Sequence, residues 1–485
     1  MSNDRPNVVI IMVDEQKATS LPLYGNPVVK APNLLQLASE GVQFEQAYST
    51  CPLCVPTRVS MMTGRHPHTT GSRTNLFFLQ PGERHLVDLF REHGYRTGLV
   101  GKNHCFLPPE LAKFDYLWEA GHLGPNQPPT EESAAAKRWL IESQVWRKAW
   151  GAVRNPYPAS ALGTSLITDQ AISFAQTHQD EPFFLWYSIA DPHTPLQAPS
   201  PFYEMYHPSD DIPLPPHLEG EMESKPPSQQ IDYRALAGDT VRPDLVREAM
   251  AVYYAMNSYI DHEVGRFLGA LDDLGLRQDT LVIYLSDHGD YMGEHGMIRK
   301  SKALYDCLTH IPLVVSWPGV IQMGQRADAF VIHEDILPTL MDLLDWSSPD
   351  GVQGQSFTPL LLRHGSYHPR EAVFGEHGIE GTPYAIDDVT TFPEGPLTTD
   401  FSPNLKLGGR GRCKSVRTRR WKLVRYPRQT YGELYDLQAD PWELTNLYGQ
   451  PPYRDVERDL TQMLLDWLIE TEDTLPAATD DTMGV

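Results

Sequence analysis

The sequence has few cysteines and no long hydrophobic run. Its 485 residues include five cysteines, at positions 51, 54, 105, 307 and 413, an odd and widely spaced set that argues against a disulfide framework. No stretch approaches the roughly 20 consecutive apolar residues that a transmembrane helix requires. The first residues also lack the small-residue cleavage pattern of a secretory signal peptide. We therefore expect a cytoplasmic protein without a membrane span.

Basic residues are outnumbered by acidic ones. The chain has 40 Lys and Arg against 63 Asp and Glu, a formal net charge of −23. Such a charge repels polyanions at long range, which argues against nucleic acid and anionic membrane surfaces as partners. A small anionic substrate stays compatible with it, because a local cluster of cations can reverse the potential inside one pocket.

Short apolar runs rich in β-branched residues recur along the chain. Segments long enough for helices separate these runs, which predicts an α/β fold with a large, mainly parallel sheet flanked by helices. The clearest predicted helix covers residues 245–274, where apolar side chains repeat at helical spacing. The predicted strands are 8–13, 95–100, 183–188, 280–286 and 311–317.

The C-terminal part has a different pattern. Strands are predicted at 414–418, 421–426 and 433–437 and a helix at 453–469, which together indicate a small antiparallel sheet with one helix. We therefore divide the chain into a catalytic domain, 1–370, and a C-terminal α+β subdomain, 371–485. Two segments rich in Pro and polar residues, 197–243 and 381–411, are expected to be surface excursions.

Acidic residues follow two of the predicted strands. Asp14 comes directly after the first strand, and Asp287 and His288 follow the strand 280–286. Functional crevices of open α/β sheets form at the carboxyl ends of the strands, so Asp14 is a candidate ligand or catalytic residue. Each alone has a structural alternative, as a loop carboxylate or a loop histidine.

The segment around Cys54 carries the most specific motif. Cys51 and Cys54 form a C-x-x-C pair, which allows a redox dithiol or half of a zinc site. Residues 54–58 read Cys-Val-Pro-Thr-Arg and residues 63–65 read Thr-Gly-Arg. This run resembles the signature of the type I sulfatases in the alkaline phosphatase superfamily. Thr57 stands where that family usually has Ser or Ala.

The resemblance implies a particular nucleophile. In that family a formylglycine-generating enzyme oxidises the Cys, here Cys54, while the chain is still unfolded. The hydrated aldehyde is a geminal diol, one hydroxyl of which attacks sulfur while the second later releases the sulfate. Arg58 would hold the formylglycine.

The resemblance also implies one divalent metal ion. Its ligands would be Asp14, the formylglycine at Cys54, Asp287 and His288. Carboxylates suit Ca²⁺ or Mg²⁺, whereas the imidazole favours Mn²⁺, so the ion stays open. Glu15 replaces the family's second aspartate, and its role as a ligand stays open too.

Further family motifs follow in the expected order. The segment 101–104 reads Gly-Lys-Asn-His and resembles the family's Gly-Lys-x-His, and 192–195 reads Pro-His-Thr-Pro. The matching residues are Lys102 for charge stabilisation, His104 as the base, His193 as the acid for the leaving alcohol, Lys300 with Lys302 as the alternative cation, and Asn75 as a substrate contact.

We therefore expect a hydrolase of small organic sulfate monoesters. A phosphonate monoester or phosphodiester hydrolase with the same machinery is the main alternative. A metal-dependent phosphatase or phosphomutase fits less well, because those enzymes use Ser or Thr as the nucleophile. A non-catalytic anion-binding or redox C-x-x-C protein is a further alternative. The oligomeric state stays open, with a homo-oligomer among the alternatives.

Overall fold

A computed structural model of the chain describes residues 5–148, 150–236, 241–391 and 410–472. The strands are β1 Asn7–Asp14, β2 Val42–Tyr48, β3 Arg96–Gly101, β4 Tyr116–Gly121, β5 Gly124–Pro125, β6 Ala152–Asn155, β7 Phe183–Pro192, β8 Leu196–Pro199, β9 Thr280–Ser286, β10 His310–Ile311, β11 Leu313–Ser316, β12 Gln325–Ile332, β13 Ala372–His377, β14 Cys413–Thr418, β15 Trp421–Arg425 and β16 Gly432–Asp436.

Helices connect and cover these strands. They are α1 Pro32–Ser39, α2 Cys54–Thr63, α3 Pro67–Thr70, α4 Leu86–Glu92, α5 Pro108–Leu111, α6 Glu131–Ser143, α7 Gly163–Thr177, α8 Pro227–Ala235, α9 Pro243–Asp273, α10 Asp306–Thr309, α11 Ile336–Leu343, α12 Thr358–Leu362, α13 Ile386–Thr391 and α14 Arg454–Glu470. Short 3₁₀ turns complete several connections.

The large sheet has a parallel centre. Its order is β10-β2-β11-β9-β1-β7-β3-β4-β5, and β12 pairs with β2. The strands β9, β1, β7, β3 and β4 are mutually parallel, whereas β11 runs antiparallel to β9. The predicted α/β fold with a mainly parallel sheet is therefore confirmed. The strand predicted at 311–317 is split into β10 and β11 and lies where the parallel run ends.

Strand β1 shows why the sheet is central. All of its residues are buried. Val8, Ile10 and Met12 join one apolar cluster, which includes side chains of α2, α4 and α11. Val9, Ile11 and Val13 face the opposite cluster, which includes side chains of α7 and α9. The alternation of a strand's side chains thus places the sheet between two helical layers.

A smaller antiparallel sheet follows, in the order β13-β14-β15-β16. It begins at Ala372. Helix α14 packs on this sheet through Leu460, Leu464 and Trp467, as the helical spacing of 453–469 predicted. The antiparallel sheet with one helix is therefore confirmed. The division of the chain at 370 and 371 stays a prediction.

The excursion predicted at 197–243 is partly buried. Its helix α8 reaches the C-terminal sheet, where Gln229 Nε2 donates a hydrogen bond of 3.0 Å to Glu433 Oε2. Both of these side chains are buried. Much of the second excursion, 392–409, lies outside the described residues. Helix α8, in the segment before α9, therefore contacts the small sheet through this hydrogen bond.

Two expected absences concern cysteines and membrane helices. All five cysteine thiols are unpaired and buried. Within the described parts of the chain, the helices are too short or too polar to cross a bilayer.

A buried ionic cluster joins β15 to α10. Lys422 Nζ lies 2.5 Å from Asp306 Oδ1 and 2.7 Å from Glu443 Oε1. Arg417 Nη2 donates to the other oxygen of Asp306 at 2.9 Å. The Lys422 side chain is only 2% exposed. Removal of one member of such a cluster leaves its partners buried and uncompensated.

Replacement of Lys422 by Met should therefore destabilise the fold strongly. We expect the free energy of unfolding to fall by about 3–5 kcal/mol, because Glu443 loses its ion-pair partner and Asp306 is left with Arg417. Chemical denaturation of Lys422→Met against wild type measures the change. Arg458→Met is the control, since Arg458 forms only exposed ion pairs. Equal unfolding midpoints for Lys422→Met and Arg458→Met would contradict the structural role of the cluster.

Candidate active site

Polar side chains gather where five neighbouring parallel strands end. Since the carboxyl ends of parallel strands lie at the same edge of a sheet, these groups converge on one crevice. They are Asp14 at the end of β1, Lys102 and His104 after β3, His122 after β4, His193 after β7, and Asp287 and His288 after β9.

Cys54 enters this crevice from helix α2. It is the first residue of the helix, and Pro56 lies in the first turn, where a missing backbone N–H leaves no helical acceptor unpaired. The backbone N–H of Val55 donates to Asn75 Oδ1 at 3.1 Å. Asn75 therefore caps the N-terminal end of the helix beside Cys54 in the structure.

The Cys54 thiol is surrounded by candidate ligands. Its Sγ lies 3.5 Å from Asp14 Oδ1, 3.4 Å from His288 Nε2 and 3.3 Å from Lys102 Nζ. One ligand atom from each of Asp14, Cys54, Asp287 and His288 lies within 4.8 Å of the other three. The structure thus brings together the four residues for which the sequence predicts a metal site.

Arg58 lies one helical turn after Cys54 and is fully buried. Its Nε and Nη2 atoms are each 3.0 Å from Asp287 Oδ2. Its Nη1 donates to the Lys102 carbonyl at 3.1 Å and to Ser188 Oγ at 2.7 Å. The guanidinium therefore connects Ser188 in β7 with the residues that follow β3 and β9.

Burial changes the protonation of the central groups. It raises the pKa of the Cys54 thiol to about 12, although Lys300 opposes the change. The charge of Lys102, together with burial, lowers the pKa of His104 to about 2, and burial lowers that of His288 to about 3. At neutral pH the thiol is protonated and both imidazoles are neutral. An unmodified Cys54 is therefore a weak nucleophile.

Glu15 lies beside His193, the predicted proton donor. Its Oε2 is 3.2 Å from His193 Nε2, and its Oε1 is 3.2 Å from Lys300 Nζ. Its backbone N–H donates to Asp287 Oδ1 at 3.0 Å with φ at 69°. Burial raises the pKa of Glu15 to about 8, against the opposing charge of Lys300. The side chain thus joins His193 to Lys300, outside the four-residue ligand cluster.

The two candidate lysines point to different places. Lys300 reaches Glu15 in the crevice, whereas Lys302 Nζ donates to the Arg410 carbonyl at 2.5 Å near the C-terminal sheet. Both lysines are largely buried. The structure therefore places Lys300 in the crevice and directs Lys302 away from Glu15. The catalytic assignment of either lysine stays a prediction.

His122 is a crevice residue that the sequence interpretation missed. Its Nδ1 lies 3.9 Å from Asp14 Oδ2, and its ring stacks on that of His193 with centroids 3.7 Å apart. The available signal was its position directly after β4, whose residues 116–121 read Tyr-Leu-Trp-Glu-Ala-Gly. That strand has only one buried side chain, which makes its pattern weak.

Comparison with known proteins assigns the family. A family model for sulfatases matches residues 6–346, and a model for the C-terminal part of N-sulphoglucosamine sulphohydrolase matches residues 409–470. The chain belongs to the sulfatase family. The resemblance inferred from the residues around Cys54 is therefore confirmed, and the protein is an enzyme of the sulfuric ester hydrolase class.

Individual relatives of this sulfatase-family protein agree over nearly the whole chain. An arylsulfatase of Clostridium perfringens is 28% identical, covering 93% of this chain and 92% of its own length. An ulvan-active sulfatase of Formosa agariphila is 29% identical, covering 97% and 82%. The crystal structure of a phosphonate monoester hydrolase of Agrobacterium radiobacter superposes with a TM-score of 0.79 over 96% of both chains at 24% identity. The last likeness concerns the fold.

The residues around Cys54 suit a divalent cation. Two carboxylates and an imidazole converge in a fully buried space, and hard or borderline divalent ions take such donors. Asp14 Oδ2 and both Glu15 oxygens lack a hydrogen bond among the described residues, although each of these side chains forms ion pairs. The donor set therefore fits the ion that the family implies.

Replacement of Glu15 by Gln should leave the metal content unchanged. The substitution keeps the size of the side chain and replaces the ionisable carboxyl group that faces His193 and Lys300 with an amide. Asp14→Asn, by contrast, should weaken metal binding by about tenfold or more, because it alters a ligand. Elemental analysis of both purified variants after dialysis measures this. Loss of metal from Glu15→Gln would contradict the geometry and make Glu15 a ligand.

Proposed function

We propose that this protein hydrolyses organic sulfate monoesters with a formylglycine made from Cys54 and one divalent metal ion. The observation that carries the proposal is the set of groups at the Cys54 side chain. Asp14, His288 and Lys102 each approach Sγ within 3.5 Å. A nucleophile that must lose a proton and then carry negative charge needs such neighbours.

The metal would be held by Asp14, Asp287, His288 and the side chain at position 54. When bound, it supplies a Lewis acid that favours a deprotonated nucleophile and polarises a sulfate oxygen. Two carboxylates suit Ca²⁺ or Mg²⁺, and the imidazole suits Mn²⁺. Arg58 keeps Asp287 oriented through two contacts of 3.0 Å, which fixes that ligand before any ion arrives.

The chain's own groups would divide the remaining work. The formylglycine hydrate supplies one hydroxyl that attacks sulfur and a second that later releases the sulfate. Lys102, 3.3 Å from Sγ, would stabilise negative charge on the transferring group. His104 would accept the proton of the second hydroxyl, the role that the Gly-Lys-x-His segment implies for it.

His193 would act on the other side, as the proton donor to the leaving alcohol. Its Nδ1 faces the Thr194 carbonyl at 2.7 Å, which leaves Nε2 as the atom directed into the crevice toward Glu15. Lys300 shares Glu15 with it and adds positive charge to the same side. Protonation of the leaving oxygen matters most for alkyl esters, whose alkoxides leave poorly.

A second candidate function is hydrolysis of phosphonate monoesters or phosphodiesters. The supporting observation is chemical, because Arg58, Lys102 and Lys300 provide positive charge that serves any tetrahedral anionic ester. A phosphonate monoester hydrolase also shares the fold. A redox C-x-x-C function is disfavoured, since the Cys51 thiol faces the Arg73 carbonyl rather than Cys54.

Peptide mass spectrometry of the segment containing Cys54 tests the nucleophile. Coexpression with a formylglycine-generating enzyme should convert Cys54 to the aldehyde, with a loss of roughly 18 Da from the peptide. Hydrolytic activity should rise in proportion to the fraction of Cys54 that is converted. The peptide containing Cys105 is the internal control and should keep its mass. Fully active protein with an unmodified Cys54 would sink the mechanism.

Paired substrates decide between the two ester classes. We expect kcat/KM for 4-nitrophenyl sulfate to exceed that for the matching phenylphosphonate ester. Cys54→Ala should lower the rate on the preferred substrate by roughly 10⁴-fold or more, as loss of a nucleophile does. The reverse preference, abolished equally by Cys54→Ala, would favour the phosphonate function. Unchanged activity of Cys54→Ala would exclude both.

A further inference from the structure

His122 contacts the groups on both sides of the crevice. Its ring lies nearly parallel to that of His193, with centroids 3.7 Å apart and an interplanar angle of 20°. It meets the ring of His104 edge-on, at 5.7 Å and 83°. Its Nδ1 is buried and lacks a hydrogen-bond partner among the described residues. No other side chain described in the crevice stacks on His193.

The hydrogen-bonding contacts of His193 with described residues lie in the plane of its ring. Nδ1 is fixed by the Thr194 carbonyl at 2.7 Å and Nε2 by Glu15 Oε2 at 3.2 Å. Hydrogen bonds at these two nitrogens do little to resist a tilt about the line that joins them. A ring stacked on one face does resist that tilt, because the tilt would open the contact.

We propose that His122 is a positioning residue that keeps Nε2 of His193 directed into the crevice, where the proposed function puts the oxygen of the leaving alcohol. The inference rests on the proposed function, since it takes His193 as the proton donor. A proton donor is effective only when its nitrogen stays within hydrogen-bond reach of the accepting oxygen. His122 would therefore matter most for substrates whose leaving group needs that proton.

A second metal ion is the competing explanation for this arrangement. Ligand atoms of Asp14, His122 and His193 lie within 4.8 Å of one another. However, the Asp14 oxygen that His122 faces already forms an ion pair with Lys102. A second ion there would have to replace Lys102 as the partner of this oxygen. The stacked ring therefore accounts better for the geometry.

The test compares His122→Ala with His122→Phe on sulfate esters with good and poor leaving groups. We expect His122→Ala to lower kcat on an alkyl sulfate by about 10- to 100-fold, and on 4-nitrophenyl sulfate by less than about threefold, because only the former depends on protonation. His122→Phe keeps a stacked ring and should recover most of the alkyl sulfatase rate. KM should change little in either variant.

His93→Ala is the matched control. His93 stacks on Trp346 with the same centroid separation of 3.7 Å, outside the crevice. The His93→Ala variant should leave the ratio of the alkyl sulfate to the aryl sulfate hydrolysis rate unchanged. Thermal unfolding of each variant verifies that it is folded, and elemental analysis should find the wild-type metal content in both His122 variants.

Three results would overturn the inference while the proposed function stands. They are an equal loss on both substrates in His122→Ala, a His122→Phe variant that behaves like His122→Ala, and loss of a metal ion in either variant. Wild-type protein that carries formylglycine and hydrolyses neither sulfate would overturn the proposed function itself. The wild-type measurement therefore separates the two failures.

Discussion

The buried guanidinium of Arg58 is the interaction on which the candidate site depends. It reaches Asp287 after β9, Ser188 in β7 and the carbonyl of Lys102 after β3. A buried charge is tolerated only when its hydrogen-bonding groups have partners, and here these partners come from three separate strands. These contacts fix the position of helix α2, which carries both Arg58 and Cys54, at the carboxyl edge of the sheet.

This arrangement explains why the charged groups of the crevice can coexist. Asp14 faces Lys102, Asp287 faces Arg58, and Glu15 faces Lys300. Each buried carboxylate therefore has a cation beside it, although the chain as a whole is strongly acidic. The net charge of −23 describes the surface that other macromolecules meet. The crevice has its own electrostatic balance, so the net charge of the chain does not exclude an anionic substrate.

Much of this arrangement could be predicted from local pattern. Strands buried on both faces, such as β1 and β9, are continuous apolar runs, and the residues that follow them are necessarily at one edge of the sheet. Strands β2 and β12 were missed because polar residues interrupt them. Gln43 within β2, for example, is buried and donates to the Leu23 carbonyl at 2.8 Å. The polar residue in this strand is explained by its hydrogen bond to Leu23, which the local sequence pattern does not reveal.

Other features depend on geometry that no spacing encodes. Lys300 and Lys302 are two residues apart in a stretch without regular structure, so only the tertiary fold separates their directions. Glu15 differs from aspartate by one methylene, and its backbone conformation at φ 69° decides where the carboxylate goes. His122 follows a poorly buried strand and became recognisable only through its contact with His193.

Under the proposed function, the burial of α2 determines whether Cys54 is converted before or after folding. All ten residues of the helix are buried, and Cys54 itself is 1% exposed. Under the proposed function, the enzyme that converts Cys54 would have to reach it before the helix packs against the sheet. Folding and the proposed conversion would therefore compete for the same segment. A chain that folded first would have to unfold again before Cys54 could be converted.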